Sequence, residues 1–123
     1  MPLDVMIVDD SAATRKILQR VLVQAQVELG TVHEASNGRE ALDILKDVRV
    51  GLILSDINMR NMDGLELLGT LKADPRLNSV PFVVVTTDGS QAKVMQAFDL
   101  GASAYVRKPF TADQIKAKLV GIL

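Results

Sequence analysis

The sequence predicts a doubly wound α/β fold: a five-stranded parallel sheet with helices on both faces. Three observations lead there. Short strand-like runs, most of them apolar, alternate with segments of helical periodicity, five of each, over 123 residues. The apolar runs have apolar residues at consecutive positions, as strands buried on both faces do. Nearly every run stops abruptly at a polar residue, and no linker, low-complexity tract or composition break interrupts the series. Strands alternating with helices imply crossover connections, and right-handed crossovers leave only a few topologies.

The elements follow in order. Val5, Met6, Ile7 and Val8 make the first strand, ended by Asp9 and Asp10. Ser11 caps a helix whose apolar positions Ile17, Leu18, Val21, Leu22 and Ala25 recur at helical spacing. A second strand is predicted over residues 31–35, with Asn37-Gly38 as a turn before a helix over residues 39–46. Leu52, Ile53 and Leu54 form the third strand, ending at Ser55-Asp56, and Leu65, Leu67, Leu68 and Leu71 mark a helix closed by Asp74-Pro75. Phe82 to Val85 is a strand ending at Thr86-Thr87, and a helix over residues 91–100 stops at Gly101, a left-handed cap. Ala104, Tyr105 and Val106 form the fifth strand, ending at Arg107-Lys108-Pro109. Thr111 caps a last helix with Ile115, Leu119 and Ile122 on one face. Gly64, in the turn Asn61-Met62-Asp63-Gly64, is expected to serve through its backbone freedom.

Composition narrows the function. The length fits one domain, residues 1–123, and 48% hydrophobic with 24% charged residues is ordinary for a globular protein. No apolar run approaches the ~20 residues of a membrane span, so a cytoplasmic location is expected. Zero cysteines exclude disulfides, thiolate metal sites and thiol catalysis. The formal charge of −1 gives no field to hold nucleic acid. It is unevenly spread: residues 90–123 carry five bases against two acids, a net +3, leaving −4 elsewhere. A downstream partner surface of neutral to acidic character is therefore expected. The aromatic residues Phe82, Phe98, Tyr105 and Phe110 all lie late in the chain, so the first eighty or so positions build their core from aliphatics. His33 reads as a half-exposed strand residue, and Met59, Met62 and Met95 as gap-fillers.

The informative pattern sits at the strand ends. Asp9 and Asp10, Asp56, Thr86 and Lys108 follow the first, third, fourth and fifth strands. In a parallel sheet these carboxyl ends share one edge, where doubly wound folds place ligands. Three close carboxylates repel, and at least one pKa is expected to rise. A hard divalent cation relieves this, and Mg²⁺ needs only two or three carboxylates plus water. Three carboxylates, Mg²⁺ and Lys108 sum to zero charge. Such a site can receive a phosphoryl group, with one carboxylate as nucleophile. Asp56 is the candidate, being on a central strand flanked by Thr86 and Lys108.

The segments Ile7-Val8-Asp9-Asp10-Ser11, DINMRNMDG from Asp56 to Gly64, Val85-Thr86-Thr87 and Tyr105-Val106-Arg107-Lys108-Pro109-Phe110 resemble the receiver domain of two-component response regulators. The likeness spans the whole chain and is nearest to the stand-alone, CheY-like type. It implies a flavodoxin-like (βα)5 fold with strand order 2-1-3-4-5, the order known for CheY-like proteins. It implies that Asp56 accepts a phosphoryl group from a sensor histidine kinase, a phosphotransfer protein or a small phosphodonor. Asp10 and Asp56 would bind Mg²⁺ directly, Asn58 through its backbone carbonyl and Asp9 mostly through water. Lys108 would pair with the phosphoryl oxygens. Thr86 would hydrogen-bond the group and draw in the following loop, letting Tyr105 turn inward. The change would be read by a protein partner on the face of the fourth helix, fifth strand and fifth helix.

Two positions depart from the family pattern. Arg60 stands where proline is common, loosening the loop after Asp56. Thr87 stands where a small residue is usual, and is expected to slow self-dephosphorylation; Asn58 and Asp88 occupy tuning positions. The alternatives are a receiver belonging to a larger regulator or hybrid kinase, and a phosphorelay intermediate. A metal enzyme or flavin protein lacks support, since GxxxxGK[ST], GxGxxG after a strand, and HExxH are absent. An interaction module that has abandoned phosphorylation is disfavoured by the intact acidic cluster, Thr86 and Lys108. The expectation is a monomeric switch that is not an enzyme on external substrates and binds neither nucleic acid nor membrane.

Overall fold

A computed structural model describes residues 2–123. The elements alternate without exception: β1 (Leu3–Val8), α1 (Ala12–Gln24), β2 (Leu29–Ala35), α2 (Gly38–Leu45), β3 (Leu52–Ser55), α3 (Gly64–Lys72), β4 (Phe82–Thr86), α4 (Gln91–Asp99), β5 (Ala104–Arg107) and α5 (Ala112–Leu119). All neighbouring strands are parallel, in the order β2-β1-β3-β4-β5. The expected fold class and strand order hold.

The consecutive apolar residues are explained by the pleat. Successive side chains point to opposite faces. Val5 and Ile7 of β1 join Leu52 and Leu54 of β3, Val83 and Val85 of β4, and Val106 of β5 in one layer under α1 and α5. Met6, Val8, Ile53, Phe82 and Val84 form the other layer, with Leu45 of α2, Leu67, Leu68 and Leu71 of α3, and Ala97 of α4. The strands buried on both faces, β1, β3 and β4, therefore need unbroken apolar runs, whereas the edge strand β2 carries Thr31, His33 and Glu34.

All five helices start on a side-chain cap. Ser11, Asn37, Asp63 and Ser90 each accept from the backbone N–H three residues on, and Thr111 with Gln114 forms a reciprocal capping box. Each cap contributes about 1 kcal/mol. Asn37 is thus a helix cap where the sequence suggested a turn. Gly101 has φ +108°, as a residue closing α4 requires.

Several expectations are corrected. β2 begins at Leu29, not residue 31, because Leu29 pairs with Leu3 ahead of a register shift. Ile17 lies on the outer side of α1, 50% exposed, since the sheet contacts Leu18, Val21 and Leu22 instead. α5 ends at Leu119, so Ile122 packs against the core from beyond the helix. Met95 fills no gap: it is 57% exposed, because α4 buries only Ala97. Met59 and Met62 do pack against the core, and His33 is half-exposed. Gly64 has no positive φ; a Cβ there would lie 1.9 Å from the Asp56 carbonyl oxygen, so close approach of α3 to the β3 end requires it.

Candidate functional site

The strand order places β1, β3, β4 and β5 side by side, with β2 and β5 at the two edges. Thr86 therefore follows the strand next to that of Asp56, while Lys108 follows the strand beyond it and reaches the site across β4, not from a flanking strand as expected. The carboxyl ends of these four strands bring Asp9, Asp10, Asp56, Thr86 and Lys108 to one edge, as the sequence indicated. Asp9 and Asp10 continue β1, and Asp56 follows Ser55, which pairs with Val8 on one side and Val84 on the other. Lys108 is fixed by its own backbone, whose N–H donates to the Thr86 carbonyl at 2.8 Å.

Asp9 is 1% exposed and already engaged at both oxygens. Oδ1 accepts from the Ser11 N–H at 2.9 Å, and Oδ2 accepts from Lys108 Nζ at 2.8 Å. Asp56 is more open: Oδ1 accepts from the Ile57 N–H at 2.6 Å and, at 3.4 Å, from that of Asn58, while Oδ2 lies 3.2 Å from Lys108 Nζ. Asp10 is exposed at the rim. Carboxylate oxygens of Asp9, Asp10 and Asp56 lie within 4.8 Å of one another. This all-oxygen, acidic donor set fits a hard divalent cation.

The expected upward pKa shift falls on Asp9, but its leading cause differs from the one anticipated. Burial raises it most, outweighing the hydrogen bonds from Lys108 and Ser11, and the Asp56 charge adds least. Burial alone would lower Lys108, yet the Asp9 hydrogen bond and the charges of Asp56 and Asp9 hold its pKa above the usual lysine value.

Thr86 is fully buried, and its Oγ1 accepts from the Asp88 N–H at 3.2 Å, leaving the hydroxyl proton free to donate. The Tyr105 ring is half-buried, not solvent-facing, and its hydroxyl donates to the Asp88 carbonyl. Asp88 is thereby held at its N–H by Thr86 and at its C=O by Tyr105. Burial, then the Asp88 and Asp56 charges, raise the Tyr105 pKa.

A family profile described as the response regulator receiver domain matches residues 5–120. The chain belongs to the response regulator receiver family. A chemotaxis protein CheY homolog of Campylobacter jejuni is 37% identical over 119 residues, covering 96% of this chain and 90% of that protein. The structure of the chemotaxis response regulator CheY4 of Vibrio cholerae matches with a TM-score of 0.86 at 29% identity, covering 100% of both chains. The Mn²⁺-bound form of response regulator Rcp1 matches with a TM-score of 0.81 at 27% identity, covering 98% of this chain and 91% of that one. The protein is a CheY-like receiver of two-component signalling.

In this receiver one departing residue, Arg60, borders the site. Arg60 is exposed and lines, with Asp10, Ser36, Asn37 and Asn61, a polar cleft of about 430 Å³. Thr87 is exposed directly after the buried Thr86. The hydrogen bonds Asp88 accepts from the backbone and side chain of Ser90 hold its carboxyl below the usual range.

Three of the receiver's residues, Arg15, Lys16 and Glu34, escaped sequence reasoning. Arg15, one turn into α1, donates from Nη1 to the Asp9 carbonyl and from Nε to Glu34 Oε1 at 3.0 Å. Lys16 Nζ meets the other Glu34 oxygen at 3.0 Å. No local pattern signals this, because Glu34 is 19 positions from Arg15 and is placed only by the β1–β2 register.

Proposed function

We propose that the chain, as one domain over residues 1–123, is a cytoplasmic switch activated by phosphorylation of Asp56. A carboxylate oxygen of Asp56 attacks phosphorus of a phosphohistidine on a sensor kinase or phosphotransfer protein. The new O–P bond forms as the P–N bond breaks, and the imidazole keeps the electron pair. Receiver domains in general bind Mg²⁺, and here Asp10, Asp56 and the Asn58 carbonyl would hold it directly, with Asp9 behind. When bound, the ion neutralises charge on the phosphoryl oxygens. Lys108 pairs with one of those oxygens, and Thr86 donates its free hydroxyl proton to another.

The observation that carries this reading is the convergence of Asp56, two further carboxylates and one ammonium at one edge of the sheet. The Mn²⁺-bound relative of the same fold supports the metal. Thr86 turning toward the phosphoryl group releases the Asp88 N–H, and with it the loop that Tyr105 holds. A downstream protein then reads the face of α4, β5 and α5. Coupling of this kind is worth about 1–3 kcal/mol. Incubation with a phosphodonor and Mg²⁺, followed by mass measurement, should show one added phosphoryl group on the wild type and none on Asp56→Asn. No Mg²⁺-dependent adduct on the wild type overturns the reading.

A further inference from the structure

The geometry points to Arg15 as a positioning residue of the phosphorylation site, fixing the peptide between Asp9 and Asp10 and so aiming the Asp10 carboxylate into the acidic cluster. This rests on the cation-binding reading of that cluster. The last β1–β2 pair is Val8 with Ala35, and the Asp9 N–H still reaches the Ala35 carbonyl at 3.0 Å. One step further the strand ladder is finished, so the Asp9 carbonyl has no strand partner and Arg15 Nη1 takes it. That carbonyl lies in one plane with the Asp10 nitrogen. A carbonyl free to rotate would swing the Asp10 Cα and its carboxylate with it. The opposite side of Asp9 is already pinned, by Lys108 and the Ser11 N–H on its carboxylate. Arg15 therefore holds the remaining freedom between a locked carboxylate and an exposed one.

Glu34 makes this arrangement compatible with a cation. An uncompensated guanidinium beside three carboxylates would compete with a divalent ion for their field. Glu34 of β2 takes Arg15 at 3.0 Å and neutralises it, while tethering the guanidinium to the strand that also pairs with β1. The Arg15 side chain is 16% exposed, so the fork is held rather than solvated. Two donors of one rigid plane meet two acceptors set by two different strands, which an ammonium on a flexible stem does not reproduce.

Mn²⁺ binding followed by electron paramagnetic resonance suits a chain without tryptophan, with urea unfolding measured on each variant. Arg15→Lys should bind Mn²⁺ about tenfold more weakly, the lower range for outer-shell partners. Glu34→Gln, which keeps the site but frees the fork, should weaken it in the same direction. Lys16→Ala, which also loses a Glu34 contact but touches nothing in the site, should bind as the wild type does. Affinity unchanged in folded Arg15→Lys and Glu34→Gln overturns the positioning role, as does an equal loss in Lys16→Ala. A wild type that takes up no Mn²⁺ overturns the cation reading itself, and this inference with it.

Discussion

The ammonium of Lys108 stands 2.8 Å from the buried carboxylate of Asp9, 99 residues away in sequence. It is also 3.2 Å from Asp56, so one cation holds two acids at the sheet edge. Removing it leaves Asp9 charged and buried without its partner. Lys108→Ala should lower stability by about 3 kcal/mol, the lower bound for breaking a buried pair. Because the lost charge is cationic, Mg²⁺ should recover part of that loss, and more than it adds to the wild type. Urea melts with and without Mg²⁺ check this; equal Mg²⁺ increments in both proteins refute it.

Tyr105→Phe removes only the hydroxyl that holds the Asp88 carbonyl. The carbonyl lies near the surface and gains water, so the cost should be about 1 kcal/mol or less. The local effect should be larger than the global one. α4 buries only Ala97 and its preceding loop would lose one of two anchors at Asp88. Amide exchange over residues 88–91 should quicken while β3 and β4 stay protected, and Asp56 should still accept a phosphoryl group.

Two glycines of α3 should respond oppositely to alanine. At Gly64 a Cβ meets the Asp56 carbonyl oxygen at 1.9 Å, and backbone cannot yield as a side chain does. Gly64→Ala should cost about 3 kcal/mol or more. At Gly69 the nearest atom is a Leu100 methyl at 3.9 Å, so Gly69→Ala should gain about 0.5–1 kcal/mol from helix propensity. Urea midpoints measured side by side decide both.

These glycines show where sequence reasoning stops. A turn glycine near the site was evident, but its reason lay in the distance between α3 and the β3 end, which no local pattern encodes. The strand-end residues Asp9, Asp10, Asp56, Thr86 and Lys108 were legible because a parallel sheet maps "last residue of the strand" onto one edge. Caps at Ser11 and Thr111 were legible for the same local reason. Arg15 and Glu34 were not, since their meeting depends on strand register and on a helix one turn past its cap. Ile17 lies outside the core because periodicity gives the direction of a helix face to within a turn and does not say how narrow a stripe the sheet covers, and Met95 because its residue type alone does not say which face of α4 it lies on.

The Arg15–Glu34–Lys16 cluster also sets a pH dependence. The Lys16 hydrogen bond, then that of Arg15, hold the Glu34 carboxyl below its usual value despite some burial. A carboxyl whose pKa is lower when folded binds fewer protons in the native state than in the unfolded one. Its stabilisation is therefore complete above the ordinary glutamate pKa of 4.5 and disappears as pH falls through the lower folded value. Glu34→Gln should be less stable than wild type at neutral pH, and the difference should shrink below about pH 4.5. Stability curves that stay parallel down to the acid limit would refute the linkage.

Thr87 is exposed and directly follows the buried Thr86, beside the path by which water would reach the proposed aspartyl phosphate. In-line attack needs a clear path opposite the Asp56 oxygen, and a branched side chain at the entrance takes up part of that space. An exposed side chain contributes little to the core, so shortening it tests access with little effect on folding. Thr87→Ala should lose its phosphoryl group severalfold faster than wild type, with Mg²⁺ affinity and urea midpoint unchanged. The comparison is a decay time course after removal of excess phosphodonor. Decay at the wild-type rate, or slower, removes Thr87 as the brake and leaves Asn58 and Asp88 as the groups to vary.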